Sequence, residues 1–149
     1  MTRLTEHPDD TAPSASGSRI AFMSNRDGNW EVYLINIDGT GVKRLTNDSA
    51  HDGLPTWSPD GKSIALISRS GGDQVAILDL ASRGLQTIST GSLNESPSYA
   101  PNGSMVVYAA GGGVLSVVAV DYDVQQRLAA QSGEVRDPAW SPFLIKRKP

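Results

Sequence analysis

The side chains that could perform catalysis are few and widely separated. The sequence contains two histidines, His7 and His51, and no cysteine. It has no Gly-x-Ser-x-Gly segment, which would mark the nucleophile elbow of a serine hydrolase. Because both histidines fall in loops that precede predicted strands, the sequence favours structural or surface roles for them over the role of a catalytic base.

Two stretches resemble ligand-binding loops but lack the required spacing. Gly61-Lys62-Ser63 matches the end of a phosphate-binding loop, but the earlier glycine is replaced by Thr56 and a strand follows. The stretch 25–31 alternates oxygen-bearing side chains like a calcium loop, yet it lacks the distal glutamate. Asp121 and Asp123 are interpreted as turn carboxylates. The sequence therefore predicts no catalytic residue, no metal site and no bound cofactor.

A repeated phrase organises the chain and must position any site. Prolines recur at spacings of 42, 42 and 41 residues, at Pro13, Pro55, Pro97 and Pro138. Three of the four copies carry an aromatic residue two positions later, namely Trp57, Tyr99 and Trp140. An aromatic residue that binds a ligand need not return in every repeat. These rings are therefore predicted to pack between repeats.

Each period of about 40 residues contains four short runs of strand-forming residues separated by Gly, Asn and Asp turns, and no window shows helical periodicity. This pattern is typical of a propeller blade. We predict an all-β fold, a β-propeller with about three four-stranded antiparallel blades, half of a six-bladed ring. The predicted segments are 1–18 (outer strand and degenerate inner strand), 19–46 (blade 1), 54–89 (blade 2), 96–129 (blade 3) and 145–149 (basic tail).

Three blades are too few to form a closed ring, because closed propellers usually have four to eight. Two chains joined head to tail would close a six-bladed ring, so the sequence predicts a homodimer. The first repeat lacks its aromatic residue, since Ala15 stands there. The segment 137–144 is intact but has no blade after it. We predict that it takes the inner position of blade 1, with a ring-closing strand of Pro138, Ala139, Trp140, Ser141 and Pro142.

Composition excludes several classes of partner. The net charge of −3 is too small to indicate a nucleic-acid partner. No apolar run approaches the roughly 20 residues that span a bilayer, so membrane insertion is not predicted. The start of the chain has no apolar signal segment, which predicts a mature piece or a fragment if the parent protein is exported.

A surface remains as the candidate site. The loops that join one blade to the next are long and varied, and in a propeller they share one end of the ring. Loops on a rigid scaffold often carry binding residues. The predicted partner-binding rim consists of His7, Asp9, Asp48, His51, Asp52, Asn94, Glu95, Glu134 and Arg136. For Asp52 and Asn94, and for Asp10, the alternative is that they bond loop backbone in every repeat.

The chain resembles the TolB family, the periplasmic propellers of the Tol–Pal system. The resemblance rests on three stretches: Leu54–Lys62, Asn94–Val106 and Pro138–Leu144. It implies a non-enzymatic interaction scaffold in the periplasm, a Pal-like lipoprotein as partner, and ring closure by the final strand. The family's N-terminal α/β domain and first blades have no counterpart here, which predicts a truncated or recombined fragment. Two alternatives stay open: the accessory propeller of a prolyl-oligopeptidase-like hydrolase, or an engineered self-assembling half-propeller.

Overall fold

The computed structural model describes residues 3–121, 125–129 and 133–141, which form three four-stranded antiparallel sheets. Each sheet consists of four consecutive strands, as the sequence predicts for a propeller blade. Blade 1 comprises β1 (Thr11–Ser16), β2 (Arg19–Ser24), β3 (Glu31–Asn36) and β4 (Lys43–Arg44). Blade 2 comprises β5 (Asp52–Trp57), β6 (Ser63–Ser68), β7 (Gln74–Asp79) and β8 (Leu85–Thr87). Blade 3 comprises β9 (Asn94–Tyr99), β10 (Met105–Ala110), β11 (Val114–Ala119) and β12 (Gln125–Ala129).

Blade 2 is packed on both faces, which explains its unbroken apolar strands. Successive side chains of a strand point to opposite faces of the sheet. In β6, Ile64 and Leu66 join the core shared with blade 1, whereas Ala65 and Ile67 join the core shared with blade 3. A strand buried on both faces needs apolar residues at consecutive positions, and β6 supplies them.

A kink of the backbone recurs at the start of every repeat. The residue before each repeated proline is left-handed, with φ of 49° at Ala12, 52° at Leu54, 53° at Ser96 and 45° at Asp137. In all three blades the pairing of the first and second strands shifts register at this point, which is a β-bulge. The fourth copy has the same local backbone although the described residues after it form no strand. The repeat therefore has the same left-handed residue before its proline in every copy, although the type of that residue differs from copy to copy.

The repeated aromatic residues join neighbouring blades, as predicted. The indole Nε1 of Trp57 donates to the Ser14 carbonyl of blade 1 at 2.8 Å. The guanidinium of Arg19 lies 4.8 Å from the centre of that indole. The Tyr99 hydroxyl lies 3.0 Å from the Ser63 hydroxyl of blade 2. Both rings are buried. Trp140, in the fourth copy, is 36% exposed.

Within a single chain the inner position of blade 1 is already occupied. It is filled by β1 of the same chain, which pairs with β2 through Ala15 and Ile20. The described part of the predicted closing segment, residues 137–141, forms no strand in this chain. Its Asp137 carboxylate accepts a hydrogen bond from Ser96 at 2.6 Å. The backbone of β1 supplies the pairing groups even though Ala15 replaces the aromatic residue. Pro142 and the basic tail lie outside the described residues.

The start of the described chain covers blade 1. The sequence predicts an outer strand within residues 1–18, ahead of the inner strand, but the described residues 3–10 contain no strand. Instead Leu4 packs against Phe22, Tyr33 and Ile35, which form a small core on the face of blade 1 away from blade 2. Within the described ranges the chain has no helix with the length and hydropathy needed to cross a membrane.

Candidate rim site

The loops between blades meet at one end of the molecule because each blade begins beside the previous one. The backbone N–H of Asp52, at the start of β5, donates to the carbonyl of Trp30 in blade 1 at 2.8 Å. The N–H of Asn94, at the start of β9, likewise donates to the carbonyl of Asp73 in blade 2 at 3.1 Å. This repeated bond places the interblade loops and the turns after β2, β6 and β10 at the same end, which we call the rim.

Most of the predicted rim residues are exposed there. Asp9, Asp48, His51, Glu95, Glu134 and Arg136 are all exposed. Asp48 accepts the backbone N–H of Ala50 at 2.7 Å, and Glu134 pairs with Arg136 at 2.9 Å. These six side chains include four carboxylates and one guanidinium. The rim is therefore an acidic surface.

A groove of about 240 Å³ crosses the rim of blade 3. Its walls include Glu95, the glycine turn 111–113 and the segment 134–136. The turn can approach this segment closely because Gly113 has no side chain; a Cβ there would lie 2.7 Å from the Gly133 carbonyl oxygen. The groove brings Glu95 and Glu134 together, which the sequence predicted only as members of one loop set.

The two histidines lie in separate interblade loops and in different surroundings. His7 is partly buried, and its Nδ1 is 3.7 Å from a carboxylate oxygen of Asp10. His51 is exposed, and its backbone carbonyl accepts the N–H of Arg69 at 3.0 Å. Among the described residues, neither imidazole is hydrogen-bonded to a serine hydroxyl. Their placement fits the structural and surface roles that the sequence favours.

Asp52 and Asn94 do not belong to the exposed rim. They are 1% and 3% exposed, which favours the alternative that they bond loop backbone over contact with the surface of a partner. The reason is the packing of successive blades, which encloses the first residue of each inner strand. Asn94 is well satisfied, because its Nδ2 lies within hydrogen-bonding distance of the Asp73 carbonyl, the Ser89 hydroxyl and the Thr90 carbonyl.

Asp52 has the same position in the repeat but different electrostatics. Its pKa is raised from 3.8 to about 6. Burial is the main cause, and the neighbouring carboxylates of Asp48 and Glu31 act in the same direction, against the lowering effect of nearby hydroxyls. Asp10, the third member of this position, behaves in the opposite way. Burial raises its pKa, but hydrogen bonds from Ser24, Thr5 and Arg26 outweigh burial and lower the value overall. Its bond to Arg26 is 2.7 Å long.

A buried charged network supports the rim and escaped the sequence analysis. Glu31 is fully buried and accepts a bond from Arg44 at 2.8 Å, while the Thr46 hydroxyl donates to its other oxygen. The same carboxylate accepts the amide of Asn29 at 2.9 Å. Asn29 also reaches the loop carbonyls of Asp48 and Ala50. These bonds hold the interblade loop in place through the buried residues beneath it. The spacing of the residues in the sequence does not indicate that they form a network.

Residues 25–30 form the turn between β2 and β3, and Glu31 begins β3. The N–H of Gly28 donates to the Asn25 carbonyl at 3.0 Å, and Tyr33 donates to Asp27 at 2.7 Å. In the part of the chain that the structure describes, no group of three or more histidine, aspartate or glutamate side chains is arranged to hold a metal ion. The residues 59–62 likewise form the turn between β5 and β6, in which Gly61 is left-handed with a φ of 68°.

Comparison with known proteins identifies the family to which this architecture is similar. The family model described as the TolB beta propeller domain matches residues 1–144. The Tol-Pal system protein TolB of Xanthomonas campestris pv. campestris is 43% identical over 115 residues, which are 73% of this chain and 26% of that protein. The chain thus spans about a quarter of the length of the curated relatives that it matches.

Solved structures share the fold. A structure of TolB from Agrobacterium tumefaciens superposes with a TM-score of 0.72 at 20% identity, over 83% of this chain and 50% of that one. An oligogalacturonate lyase from Vibrio parahaemolyticus superposes with a TM-score of 0.64 at 14% identity, over 83% of this chain and 42% of that one. At these identities the likeness establishes the architecture alone, since one fold carries many functions.

Proposed function

Because the chain belongs to the TolB β-propeller family, we propose that it is a non-enzymatic interaction scaffold of a Tol–Pal system, acting in the periplasm, whose rim docks a Pal-like lipoprotein. The observation that carries the proposal is the acidic rim, where exposed carboxylates sit on loops held by rigid blades. Charged groups around such a surface steer a complementary partner and set its orientation. The surface that docks there should therefore be basic.

Reversing one rim charge is the direct test of this docking. Glu95→Lys should weaken binding of a Pal-like lipoprotein domain by about tenfold and reduce the dependence of binding on salt, because it places a positive charge against a basic surface. The affinity is measured by titration calorimetry at two salt concentrations. Glu95 is exposed at the start of β9, so the change leaves the core intact.

Asp121→Lys is the matched control. It makes the same change of charge on an exposed residue at the opposite end, in the turn between β11 and β12. Its binding should equal that of the unaltered chain. Equal weakening by the two variants would show that net charge matters and the rim does not. Absence of binding by the unaltered chain would remove the docking function.

We also propose that two chains close a six-bladed ring. The outward face of blade 3 is the side of its sheet opposite blade 2, and Val117 lies on it, partly exposed. Trp140 and Leu128 are 36% and 45% exposed. Soluble proteins rarely leave large apolar faces uncovered. Docking of this face, with the segment 138–142, against blade 1 of a second chain would cover it.

The mass in solution tests this closure. Light scattering should give about twice the chain mass of 15.8 kDa. Val117→Lys should yield a monomer with an unchanged circular dichroism spectrum, because a charge on the outward face is costly to bury. Ser104→Lys, in the turn before β10, is the control and should remain dimeric. A folded monomer of the unaltered chain would exclude closure by two copies.

A further inference from the structure

A second feature of the rim end is a small pocket between blades 1 and 2. It has a volume of about 80 Å³. Apolar parts of Met23, Trp30, Leu54 and Ile67 contribute to its walls, and Asp52 lies among its lining residues. The remaining lining residues are His51, Gly53 and Arg69. A pocket with apolar walls and one buried carboxylate suits a ligand that has an apolar stem and a positive end.

Among the described residues no cation or amide donates to the carboxylate of Asp52, although the hydroxyls of Ser68 and Thr46 lie near enough to lower its pKa. Neither of its oxygens has a hydrogen-bond partner among the described residues, although the side chain is almost fully buried. The nearby Thr46 hydroxyl donates its hydrogen bond to Glu31. A buried charge without a partner is strongly unfavourable. The unpaired carboxylate therefore marks a position that a cationic ligand can occupy.

The repeat provides two internal references for this position. In blade 1, Asp10 pairs with the guanidinium of Arg26 at 2.7 Å. In blade 3, Asn94 is neutral and its amide faces three hydrogen-bond acceptors. In blade 2, Arg69 lines the same pocket, but it pairs with Asp73 at 2.8 Å. Asp52 is thus the member of the three that has neither a cation nor an amide.

We propose that the pocket beside Asp52 binds a lysine side chain of a docked protein, with its methylene stem against Met23 and Trp30 and its ammonium on the Asp52 carboxylate. The inference deepens the proposed docking function and rests on it for the source of the lysine. An ammonium group suits the site because it brings three donors to two unpaired acceptor oxygens. The stem suits it because lysine methylenes pack well along apolar surface.

A small probe tests the pocket apart from any partner protein. N-acetyl-lysine N-methylamide is titrated against the full chain, and the amide signal of Gly53 and the indole signal of Trp30 are followed by NMR. We expect saturable shifts with a dissociation constant in roughly the millimolar range, as befits one side chain. N-acetyl-norleucine N-methylamide, which keeps the stem and lacks the ammonium, should bind at least tenfold more weakly. Equal binding of the two probes would overturn the proposal.

Two variants separate the pocket from general acidity. Asp52→Asn should lose at least tenfold in affinity for the lysine probe. Asp121→Asn removes a carboxylate charge from an exposed residue at the opposite end of the blades, and it should bind within about twofold of the unaltered chain. A similar loss in both variants, or no loss in Asp52→Asn, would overturn the assignment.

The pocket and the docking function fail in different ways. If the lysine probe does not bind while the lipoprotein domain binds with the expected sensitivity at Glu95, the pocket proposal is wrong and the docking function stands. If the lysine probe binds at Asp52 while the lipoprotein domain does not bind, the pocket is a lysine site and the proposed partner is wrong. If neither binds, both are wrong.

Discussion

Replacing Trp57 by alanine should lower the free energy of unfolding by about 3–5 kcal/mol, the range typical of large aromatic side chains removed from a core. The ring is 7% exposed and belongs to the core between blades 1 and 2. Its loss leaves a cavity at this contact and frees the Ser14 carbonyl and the Arg19 guanidinium from their partner. Urea unfolding followed by circular dichroism measures the change.

Trp57→Phe separates the two contributions of the ring. Phenylalanine keeps most of the apolar area and loses the N–H donor to Ser14, so it should cost only about 1–2 kcal/mol. If alanine and phenylalanine cost the same, the hydrogen bond and not the packing joins the blades. If alanine costs less than about 1 kcal/mol, the aromatic position of the repeat does not hold the blades together.

Asp52→Asn should stabilise the protein at neutral pH. The pKa of Asp52 is raised from 3.8 to about 6 by burial, so the folded state holds the proton more tightly than the unfolded chain. Below pH 4 both states are protonated and the group costs nothing. As the pH rises from about 4 to about 6, the folded state loses relative stability, up to ~3 kcal/mol. An amide does not ionise, so the stability of the variant does not fall in this pH range for this reason.

The measurement is the difference in unfolding free energy between variant and unaltered chain at pH 4 and pH 7.5. The difference should be small at pH 4 and reach roughly 1–3 kcal/mol in favour of the asparagine variant at pH 7.5. Taking the difference removes the opposite slope of carboxyls whose pKa is lowered, such as Asp10. Asn94→Asp is the matched reversal and should destabilise at pH 7.5 more than at pH 4. A difference independent of pH would show that Asp52 does not titrate on folding.

The propeller architecture was predictable because it depends on spacing. Pro55 and Trp57 recur with their turn and their strands in register, and each of the first three copies forms a four-stranded blade in the structure. The inner strand of blade 1 was identified only as a degenerate copy, because Ala15 replaces the aromatic residue. The backbone of β1 nevertheless pairs with β2 and has the same left-handed residue before its proline. Pairing of main-chain groups tolerates a side-chain change that a search for aromatic residues does not.

The chemistry of the rim was predictable only in part. The exposed acids, such as Glu95 and Asp48, follow from their loop positions. The burial of Asp52 does not, because a carboxylate at a loop boundary is ordinarily exposed. It becomes buried only when the next blade docks. Whether the buried carboxylate is paired then depends on a cation within reach, as Arg26 is for Asp10. That information is tertiary and is absent from the local sequence.

The strand order within each sheet has a consequence for how the chain folds. Every blade pairs strands that follow one another in sequence, so each pairing closes a short loop and costs little chain entropy. Contacts between blades join neighbours in the repeat, as in a linear array with nearest-neighbour coupling. Folding can therefore begin in any blade and proceed to its neighbours one blade at a time. The middle blade is stabilised most, because it packs against a neighbour on each side.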